Sequence, residues 1–385
     1  MSLVTETSTW KTEEHGLFAQ SVQHFYKEHL IPKMEHFVSN GIVDRDFWKA
    51  AGDFGIMGGS VSEEYGGSGG SFGFDSIALY EQGRCGDSAW GYGIQSIVIH
   101  YLVNYGSFDQ KSRWLPKLVS GEIIGALAMS EPGCGSDVQS IQTTAEKKGN
   151  HYCINGTKSF ITNGLSADLV VLTTKTDKSL GAKGVSLILI DTRNLEGFER
   201  GKPLNKLGQR GNDTAQLFFN DVMVPQTHLL GEEEGQGFYQ LMRQLPWERL
   251  LIAIGALGMI DLAIDETLNY VKDRKVFGQR LMDLQNTRFK LAEAKTKAEL
   301  LRTFINDCIL QVEQNQLKVS TASMVKYWGS QTANEIINEC LQLHGGYGYI
   351  TDYPIARLYT DARVQMIYGG SNEIMKELIA RSLDK

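Results

Sequence analysis

The chain has 385 residues, of which 42% are hydrophobic and 22% are charged, a composition typical of soluble globular proteins with an ordinary apolar core. Its formal net charge of -7 argues against a surface built to bind nucleic acid. It also lacks an apolar run of about 18 residues that could form a membrane-spanning helix. Of the 41 glycines, 32 precede residue 248, and this uneven distribution predicts different architectures in the two parts of the chain.

Cysteine usage and the N-terminal residues bear on the compartment. The cysteines are odd in number and widely spaced, without a CxxC pair, at Cys85, Cys134, Cys153, Cys308 and Cys340. This pattern argues against a disulfide framework or a structural zinc site. The first residues include Glu13 and Glu14 and lack the basic segment and apolar run of a secretory signal. We therefore expect a cytoplasmic protein, and the sequence predicts no metal centre.

The first part of the chain, residues 1–124, is predicted to be an all-α domain. Apolar residues recur there at helical spacing. The pattern predicts short helices over residues 47–54, 77–84, 94–105 and 109–118. A proline at position 32 is expected to end the first helix, because proline cannot continue a regular helical hydrogen-bond ladder.

Residues 125–232 read as a β-domain. Segments 143–146 and 151–154 flank a Lys-Lys-Gly-Asn turn, which predicts a β-hairpin. Further β-rich runs occupy residues 169–174, 185–191 and 215–219. Since no helix of about ten residues lies between these runs, a parallel βαβ sheet is disfavoured and an antiparallel barrel or sandwich is predicted.

Residues 233–385 are predicted to form a four-helix bundle. Helical periodicity returns after Trp247, over residues 250–271, 287–316, 319–343 and 372–383. Long helices with almost no proline are typical of bundles. The predicted fold class is therefore α+β: a helical domain, a β-domain and a helical bundle.

The common nucleotide-binding and hydrolase motifs are absent. The sequence contains neither GxGxxG nor GxxxxGK[ST], and it lacks the GxSxG nucleophile elbow. Two other segments are candidates for a ligand site. Residues 130–137 combine glycines with the hydroxyls of Ser130 and Ser136. Phe160 and Thr162 lie two apart on a predicted strand, so they should face one side and could form a wall for a planar ring. Taken alone, each segment is better explained as an ordinary turn or strand than as a ligand site.

Four motifs, taken together, carry a resemblance. The motifs are Ser-Glu-Pro-Gly-Cys-Gly-Ser-Asp at 130–137, Arg-Lys-Val-Phe-Gly at 274–278, Gln-Leu-His-Gly-Gly-Tyr-Gly at 342–348 and Tyr-Gly-Gly-Ser-Asn-Glu-Ile at 368–374. The chain resembles the acyl-CoA dehydrogenase family, most closely its long-chain type, over nearly its whole length. The resemblance implies FAD as cofactor, a homotetramer, oxidation of an acyl-CoA to the trans-2-enoyl-CoA, and an electron-transferring flavoprotein as electron acceptor.

The resemblance implies a glutamate as catalytic base, and family members carry it at one of two positions. Many family members carry a glutamate where this chain has Gly369. The long-chain and isovaleryl types instead take the base from a bundle helix, at the position of Glu248. Gly369 would then leave room for that carboxylate, and its backbone N–H could polarise the thioester carbonyl. Alternatively, Glu248 offsets a helix N-terminal dipole and pairs with Arg249, or Glu373 or Glu377 serves as the base.

The resemblance also implies two sets of binding residues. Those expected to hold FAD, partly across a subunit interface, are Met129, Ser130, Gly135, Ser136, Phe160, Thr162, Arg274, Phe277, Gln285, Gln342, Gly345, Gly346, Ser371 and Glu373. Those expected to line the acyl-CoA site are Ser136, Tyr239, Arg249, Gly369 and Gly370. The family commonly has tryptophan where Phe160 stands, which changes the ring but not its ability to pack on another ring.

Three other functions remain open at this level. An isovaleryl-like enzyme for branched short chains would share the same base. An acyl-CoA oxidase, or a dehydrogenase for carrier-protein-bound acyl groups, would share the fold. A flavin-binding protein without catalysis is compatible with the glycine at position 369. The acyl chain length depends on pocket depth, which the sequence does not predict.

Overall fold

The computed structural model describes residues 2–3 and 8–384. Its N-terminal helices pack around aromatic side chains that include Phe47, Trp48 and Trp90. These helices are α1 (Glu13–Phe25), α2 (Met34–Asn40), α3 (Arg45–Asp53), α4 (Phe72–Arg84), α5 (Tyr92–Tyr105) and α6 (Phe108–Val119). Across the described residues, the helices lack the combination of length and hydrophobicity that crossing a bilayer requires.

The first helix ends differently from the prediction. Helix α1 stops at Phe25, and the chain continues through a π-helical turn (Tyr26–Leu30) and a 3-10 turn (Ile31–Lys33) into α2. Pro32 lies in the first turn of that 3-10 segment. A proline is tolerated there because the N–H groups of a first turn have no intrahelical partner in any case. Pro32 therefore redirects a helical path that continues beyond it.

The middle part of the chain forms a seven-stranded sheet of mixed direction. Its strands are β1 (Gly125–Ala128), β2 (Thr144–Lys148), β3 (His151–Thr162), β4 (Leu169–Lys175), β5 (Val185–Asp191), β6 (Phe198–Arg200) and β7 (Thr214–Pro225). Their order is β1-β4-β2-β3-β7-β6, and β5 also pairs with β4. The predicted β2–β3 hairpin is present, with Lys148 opposite His151.

The expectation of a purely antiparallel sheet is wrong for two pairs. Strand β1 runs parallel to β4 from Gly125 opposite Leu169 to Ala128 opposite Leu172. Strand β2 also meets β4 in parallel, at Thr144 opposite Lys175. A parallel pair needs a long connection, and the β2–β3 hairpin supplies the one between β1 and β4 without a helix. The absence of an intervening helix in the sequence was therefore insufficient to exclude parallel pairing.

The C-terminal part is built on three long helices. They are α7 (Gly237–Asp273), α8 (Gln285–Glu313) and α9 (Val319–His344), and the short strands β8 (Lys275–Val276) and β9 (Gln279–Arg280) lie between the first two. Two shorter helices, α10 (Pro354–Ala362) and α11 (Asn372–Leu383), pack on α9. The predicted bundle is confirmed, with α11 at the predicted position.

Helix α7 begins at Gly237, ten residues before Trp247, after which the helix was predicted. It also runs through Pro246. An internal proline removes the hydrogen bond to the carbonyl four residues before it, here that of Met242, at a cost of about 3 kcal/mol. Contacts with α5 hold the two turns of α7 that precede the proline. Asn104 Nδ2 donates to Gln244 Oε1 at 2.9 Å, and Tyr105 donates to the carbonyl of Gln240 at 3.2 Å.

Helices α4 and α7 join the N-terminal helices to the bundle at very short range. A Cβ on Gly258 of α7 would lie only 2.3 Å from the carbonyl oxygen of Tyr80 in α4. Three buried polar side chains cross the same contact. Arg302 of α8 donates two bonds to the Asp261 carboxylate, at 2.8 and 2.7 Å, and the Tyr80 hydroxyl donates a third at 2.5 Å. This cluster ties three helices together inside the core.

Removal of the carboxylate from this cluster should destabilise the fold strongly. In Asp261→Asn, the Arg302 guanidinium loses its buried anionic partner, which costs about 3–5 kcal/mol. We expect a lower midpoint of urea unfolding, followed by tryptophan fluorescence. Glu377→Gln is the control, because Glu377 pairs with Arg381 on the exposed face of α11. Equal midpoints for the two variants would contradict the role assigned to the cluster.

Candidate active site

A deep cavity of about 290 Å³ lies where α4, α5 and α7 meet the sheet. Leu79 of α4, Ile94 and Ile97 of α5, and Leu251 and Ile252 of α7 form much of its wall. These side chains exclude water without offering hydrogen bonds. The lining suits a largely apolar ligand that also meets several polar groups.

Glu248 supplies a carboxylate to this apolar cavity. Glu248 is buried, with 4% of the residue's surface exposed, and it forms part of the cavity lining. Burial raises the pKa of Glu248 to about 7, because the charged form loses its hydration. A hydrogen bond donated by the Tyr101 hydroxyl to Oε1 at 2.9 Å, and the charge of Arg249, limit this rise in pKa. Glu248 is thus a carboxylate that can take up a proton near neutral pH.

The position of Glu248 within α7 excludes the helix-dipole interpretation. The helix begins at Gly237, so Glu248 lies about three turns inside it, beyond the unpaired N–H groups of the first turn. The predicted pairing with Arg249 is also not a close ion pair. Arg249 is buried, its Nη1 lies 3.5 Å from the Ser323 hydroxyl, and its Nε has no hydrogen-bond partner within the described residues. Arg249 therefore keeps an unused donor in the core.

Gly369 borders the same cavity from the loop before α11. Its φ of +64° lies in the left-handed region, and a Cβ there would lie 2.4 Å from Ile252 Cδ1. Lys326 of α9 holds the adjacent residues from the buried side. Its ammonium donates to the Gly370 carbonyl at 2.7 Å and to Asn372 Oδ1 at 3.0 Å. The loop geometry therefore leaves no room for a side chain at position 369 unless Ile252 moves.

A buried ion pair supports the loop that contains Met129 and Ser130. Lys158 is fully buried, and its ammonium donates to the Met129 carbonyl and to Glu131 Oε1, each at 2.9 Å. The Glu131 carboxylate also accepts from the backbone N–H groups of Gln142 and Thr143. These bonds keep the loop against strand β3 beside the cavity.

Phe160 breaks the strand alternation that the sequence suggested. The pairing of β3 with β7 shifts between Lys158 and Ile161, and Phe160 lies in this bulge with a φ of +60°. A bulge redirects the side chains around it. The Phe160 ring is 71% exposed, and both it and Thr162 line the cavity. The two residues therefore reach one cavity through a bulge, whereas a regular strand was expected.

A second, more open cleft of about 620 Å³ lies at the end of the bundle. It is lined by four of the predicted cofactor residues, namely Arg274, Gln342, Gly345 and Gly346. Neither glycine has an atom within 4 Å of the position of a Cβ, so the backbone is open to a ligand there. The guanidinium of Arg274 lies 5.7 Å from the centre of the Tyr347 ring.

The remaining predicted residues line neither cavity within the described chain. Gly135 and Ser136 lie in an exposed loop, and Gln285 is exposed at the start of α8. Phe277 is 95% exposed and Tyr239 45% exposed. Arg249 is buried within α7. The others lie around the start of α11: Gly370 before it, Ser371 as its N-cap and Glu373 in its first turn.

Four residues that support the site were not singled out by the sequence: Tyr101, Glu131, Lys158 and Lys326. Glu131 falls inside a recognised motif, but its role as a buried anion is not visible in the sequence. Lys158 and Lys326 lie in a β-rich and a helical segment, where a lysine normally indicates an exposed position. The one signal available for Tyr101 is its apolar helical surroundings, which indicate burial but no partner.

A buried carboxylate that titrates near neutrality, in an apolar cavity between helices and a sheet, is typical of an enzyme that moves a proton in a water-poor site. Family models identify the class. Models described as the N-terminal, middle and C-terminal domains of acyl-CoA dehydrogenase match residues 12–122, 126–222 and 235–383. The chain belongs to the acyl-CoA dehydrogenase family and is an oxidoreductase of that family.

Individual relatives agree with this assignment. The chain is 44% identical over 375 residues to the rat (Rattus norvegicus) mitochondrial long-chain specific acyl-CoA dehydrogenase, covering 97% of this chain and 87% of the relative. It is 36% identical to the mitochondrial isovaleryl-CoA dehydrogenase of Pongo abelii, covering 97% and 89%. The acyl-CoA dehydrogenase structure from Geobacillus kaustophilus superposes with a TM-score of 0.96 at 42% identity, covering 98% and 100%.

A further solved structure bears on the cofactor. A glutaryl-CoA dehydrogenase from Mycobacterium smegmatis, described as a complex with FADH2, superposes with a TM-score of 0.91 at 26% identity. The match covers 98% of this chain and 96% of that one.

Substitution of Gly369 should be costly for two separate reasons. Gly369→Ala places a Cβ in a left-handed residue, at about 1–2 kcal/mol, and also against Ile252. Gly149→Ala is the matched control, because Gly149 has a φ of +59° but no atom within 4 Å of its Cβ position. We expect calorimetry to give a larger fall in the unfolding temperature for Gly369→Ala. If the two variants unfold at the same temperature, the contact with Ile252 does not restrict this loop.

Proposed function

We propose that the chain catalyses the FAD-dependent α,β-dehydrogenation of an acyl-CoA thioester of medium or long chain, with the trans-2-enoyl-CoA as product. In this reaction Glu248 removes the α-proton. The single observation that carries the proposal is a buried Glu248 carboxylate of raised pKa in a cavity with an apolar wall. The relatives support the substrate class, since the rat protein is named for long-chain acyl-CoA.

The protonation state of Glu248 sets the pH range in which it can act as a base. With a pKa of about 7, the carboxylate is largely ionised above pH 7 and largely protonated below it. A base with a pKa near the working pH is also the most effective for proton transfer, because it is both ionised and basic enough. The apolar wall keeps water from competing for the carboxylate.

The residues around the cavity are compatible with a flavin. Met129, Ser130, Phe160 and Thr162 line the cavity that also contains Glu248. The exposed Phe160 ring, on a bulge braced by the neighbouring Lys158–Glu131 pair, is a suitable surface for a planar ring. We infer that these residues hold the isoalloxazine. When bound, FAD supplies the hydride acceptor for the β-carbon of the substrate.

The second cleft suits the phosphate-bearing part of such a cofactor. Arg274 offers a planar fork of donors for a pyrophosphate, and Gly345 and Gly346 allow backbone to approach it. The side chains of Phe277 and Tyr349, which are 95% and 88% exposed, leave apolar surface near this end of the bundle. We infer that a neighbouring subunit covers this surface in a homotetramer, so that residues of two chains share each cofactor.

We infer that an electron-transferring flavoprotein accepts the electrons, which is what the resemblance to the family implies. We also infer a reducing compartment such as the cytoplasm, because all five cysteines are free thiols. The rat and Pongo abelii relatives are named as mitochondrial proteins.

The acyl preference can be tested with the purified holoenzyme. Straight-chain acyl-CoA of increasing length and isovaleryl-CoA are mixed anaerobically with the protein, and loss of the flavin absorbance is followed. We expect bleaching, with the highest kcat/KM for medium or long straight chains. A maximum with isovaleryl-CoA would assign the branched-chain function. Rapid peroxide formation in air would indicate an oxidase, and no bleaching with any thioester would overturn the proposal.

The role of Glu248 is tested by Glu248→Gln, which keeps the shape of the side chain but cannot take up a proton. We expect the variant to retain its flavin spectrum and lose flavin reduction by at least 100-fold, the scale of general base catalysis. Glu373→Gln is measured beside it, because Glu373 is the rival carboxylate and is exposed at the start of α11. Near-normal reduction by Glu248→Gln, with loss of reduction in Glu373→Gln, would transfer the role of base to Glu373.

A further inference from the structure

Helix α5 donates three hydrogen bonds to α7, and the last of the three acceptors along α7 is Glu248. Tyr105 donates to the Gln240 carbonyl at 3.2 Å, Asn104 to Gln244 Oε1 at 2.9 Å, and Tyr101 to Glu248 Oε1 at 2.9 Å. The acceptors are spaced four residues apart along α7, so each lies about one helical turn from the next. Helix α5 therefore holds one face of α7 over the two turns that lead to the carboxylate.

These contacts span the weakest point of α7. Pro246 lies between the second acceptor, Gln244, and the third, Glu248. Because a proline cannot donate to the preceding turn, the helix on either side of it is less firmly joined. Side-chain bonds to α5 on both sides of Pro246 compensate for this missing backbone bond. The direction in which Glu248 enters the cavity thus depends on contacts outside its own helix.

Tyr101 is the contact that reaches the carboxylate itself. Its side chain is fully buried, and the Glu248 carboxylate is the acceptor of its hydroxyl. A phenol that donates to Oε1 favours the ionised carboxylate over the carboxylic acid. It also occupies one of the two carboxylate oxygens, so that Oε2 is left to accept a proton from a ligand. Tyr101 has therefore both an electrostatic and a geometric effect on the same group.

We propose that Tyr101 is a positioning residue for the dehydrogenation: it holds Oε1 of Glu248, directs Oε2 towards the substrate α-carbon and keeps the carboxylate ionised in an apolar cavity. This inference rests on the function proposed above, in which Glu248 is the base. It assigns a part in the chemistry to α5, which contributes no residue to the two predicted binding sets.

Other ionisable groups near the cavity also bear on the pH dependence of the enzyme. On the elements packed around the cavity they are His100 and Tyr105 of α5, Arg243 and Arg249 of α7, Asp87 before α5, Lys326 of α9 and Tyr368 before α11. Arg249 lowers the pKa of Glu248 as well, but less than Tyr101 does. The Tyr101 bond is therefore the largest single effect that opposes the influence of burial on this pKa.

The test uses Tyr101→Phe in the FAD-bound enzyme, with kcat/KM for a long-chain acyl-CoA measured from pH 5.5 to 9. Without the donor, the Glu248 pKa rises, so the acid limb of the profile should move up by about one pH unit. At pH 7 we expect kcat to fall roughly tenfold, with part of the loss recovered at pH 9, where Glu248 ionises again. A merely structural defect would lower the rate equally at every pH.

Tyr105→Phe is the matched control. It removes the same hydroxyl from the same helix, but its partner is a backbone carbonyl eight residues before Glu248. The acid limb of its pH profile should lie at the same pH as that of the unmodified enzyme, because the Tyr105 hydroxyl does not donate to Glu248. Tyr101→Met, which fills the site without a donor, should repeat the Tyr101→Phe shift if the phenylalanine variant folds poorly.

The outcomes separate this inference from the proposed function. If Glu248→Gln is inactive but the acid limb of both Tyr101 variants matches that of the unmodified enzyme, Glu248 remains the base and the role of Tyr101 is overturned. If Glu248→Gln keeps its activity, the assignment of the base itself fails, and with it the role of Tyr101. A shift in both Tyr101 variants but not in Tyr105→Phe supports the inference.

Discussion

The removal of one carboxylate from water is the constraint on which the rest of the site depends. An ionised carboxylate in an apolar cavity loses its hydration, and burial raises the pKa of Glu248 to about 7 as a result. The apolar wall that causes this loss comes from α4, α5 and α7, so packing of the helices sets the basicity of the group. A more open cavity would leave Glu248 an ordinary surface acid that is ionised but only weakly basic.

Other charges buried around the cavity also lose their hydration, and partners within the fold offset this loss. Lys158 neutralises Glu131 beneath the loop of Met129 and Ser130, and Asp261 neutralises Arg302 where the helices join. Lys326 is held by a backbone carbonyl and an amide oxygen beside Gly370. In each case a charge inside the protein is satisfied by partners that also fix a segment bordering the site. The segments around the cavity are thereby held in place by interactions that are costly to break.

Much of the fold could be predicted from the sequence, because its signals are local. The β2–β3 hairpin is specified by turn residues between two β-rich runs, and α5, α8, α9 and α11 by apolar periodicity. The failures have a common cause. Helix was predicted only after Trp247, yet α7 begins at Gly237 and runs through Pro246, with contacts from α5 beside the proline. The parallel pairing of β1 with β4 joins residues about 44 positions apart, which no local pattern reveals.

The candidate site divides in the same way. Its motifs are properties of residue identity, and so are the glycine at position 369 and the glutamate at position 248. The sequence alone therefore determined the family and the candidate base. The tertiary structure alone decided which groups reach Glu248, where the Phe160 bulge lies, and that lysines at positions 158 and 326 are buried. The reason is physical. Residue types and local spacing are written in the chain, whereas burial, a raised pKa and a hydrogen bond between residues 147 positions apart exist only once distant segments have packed together.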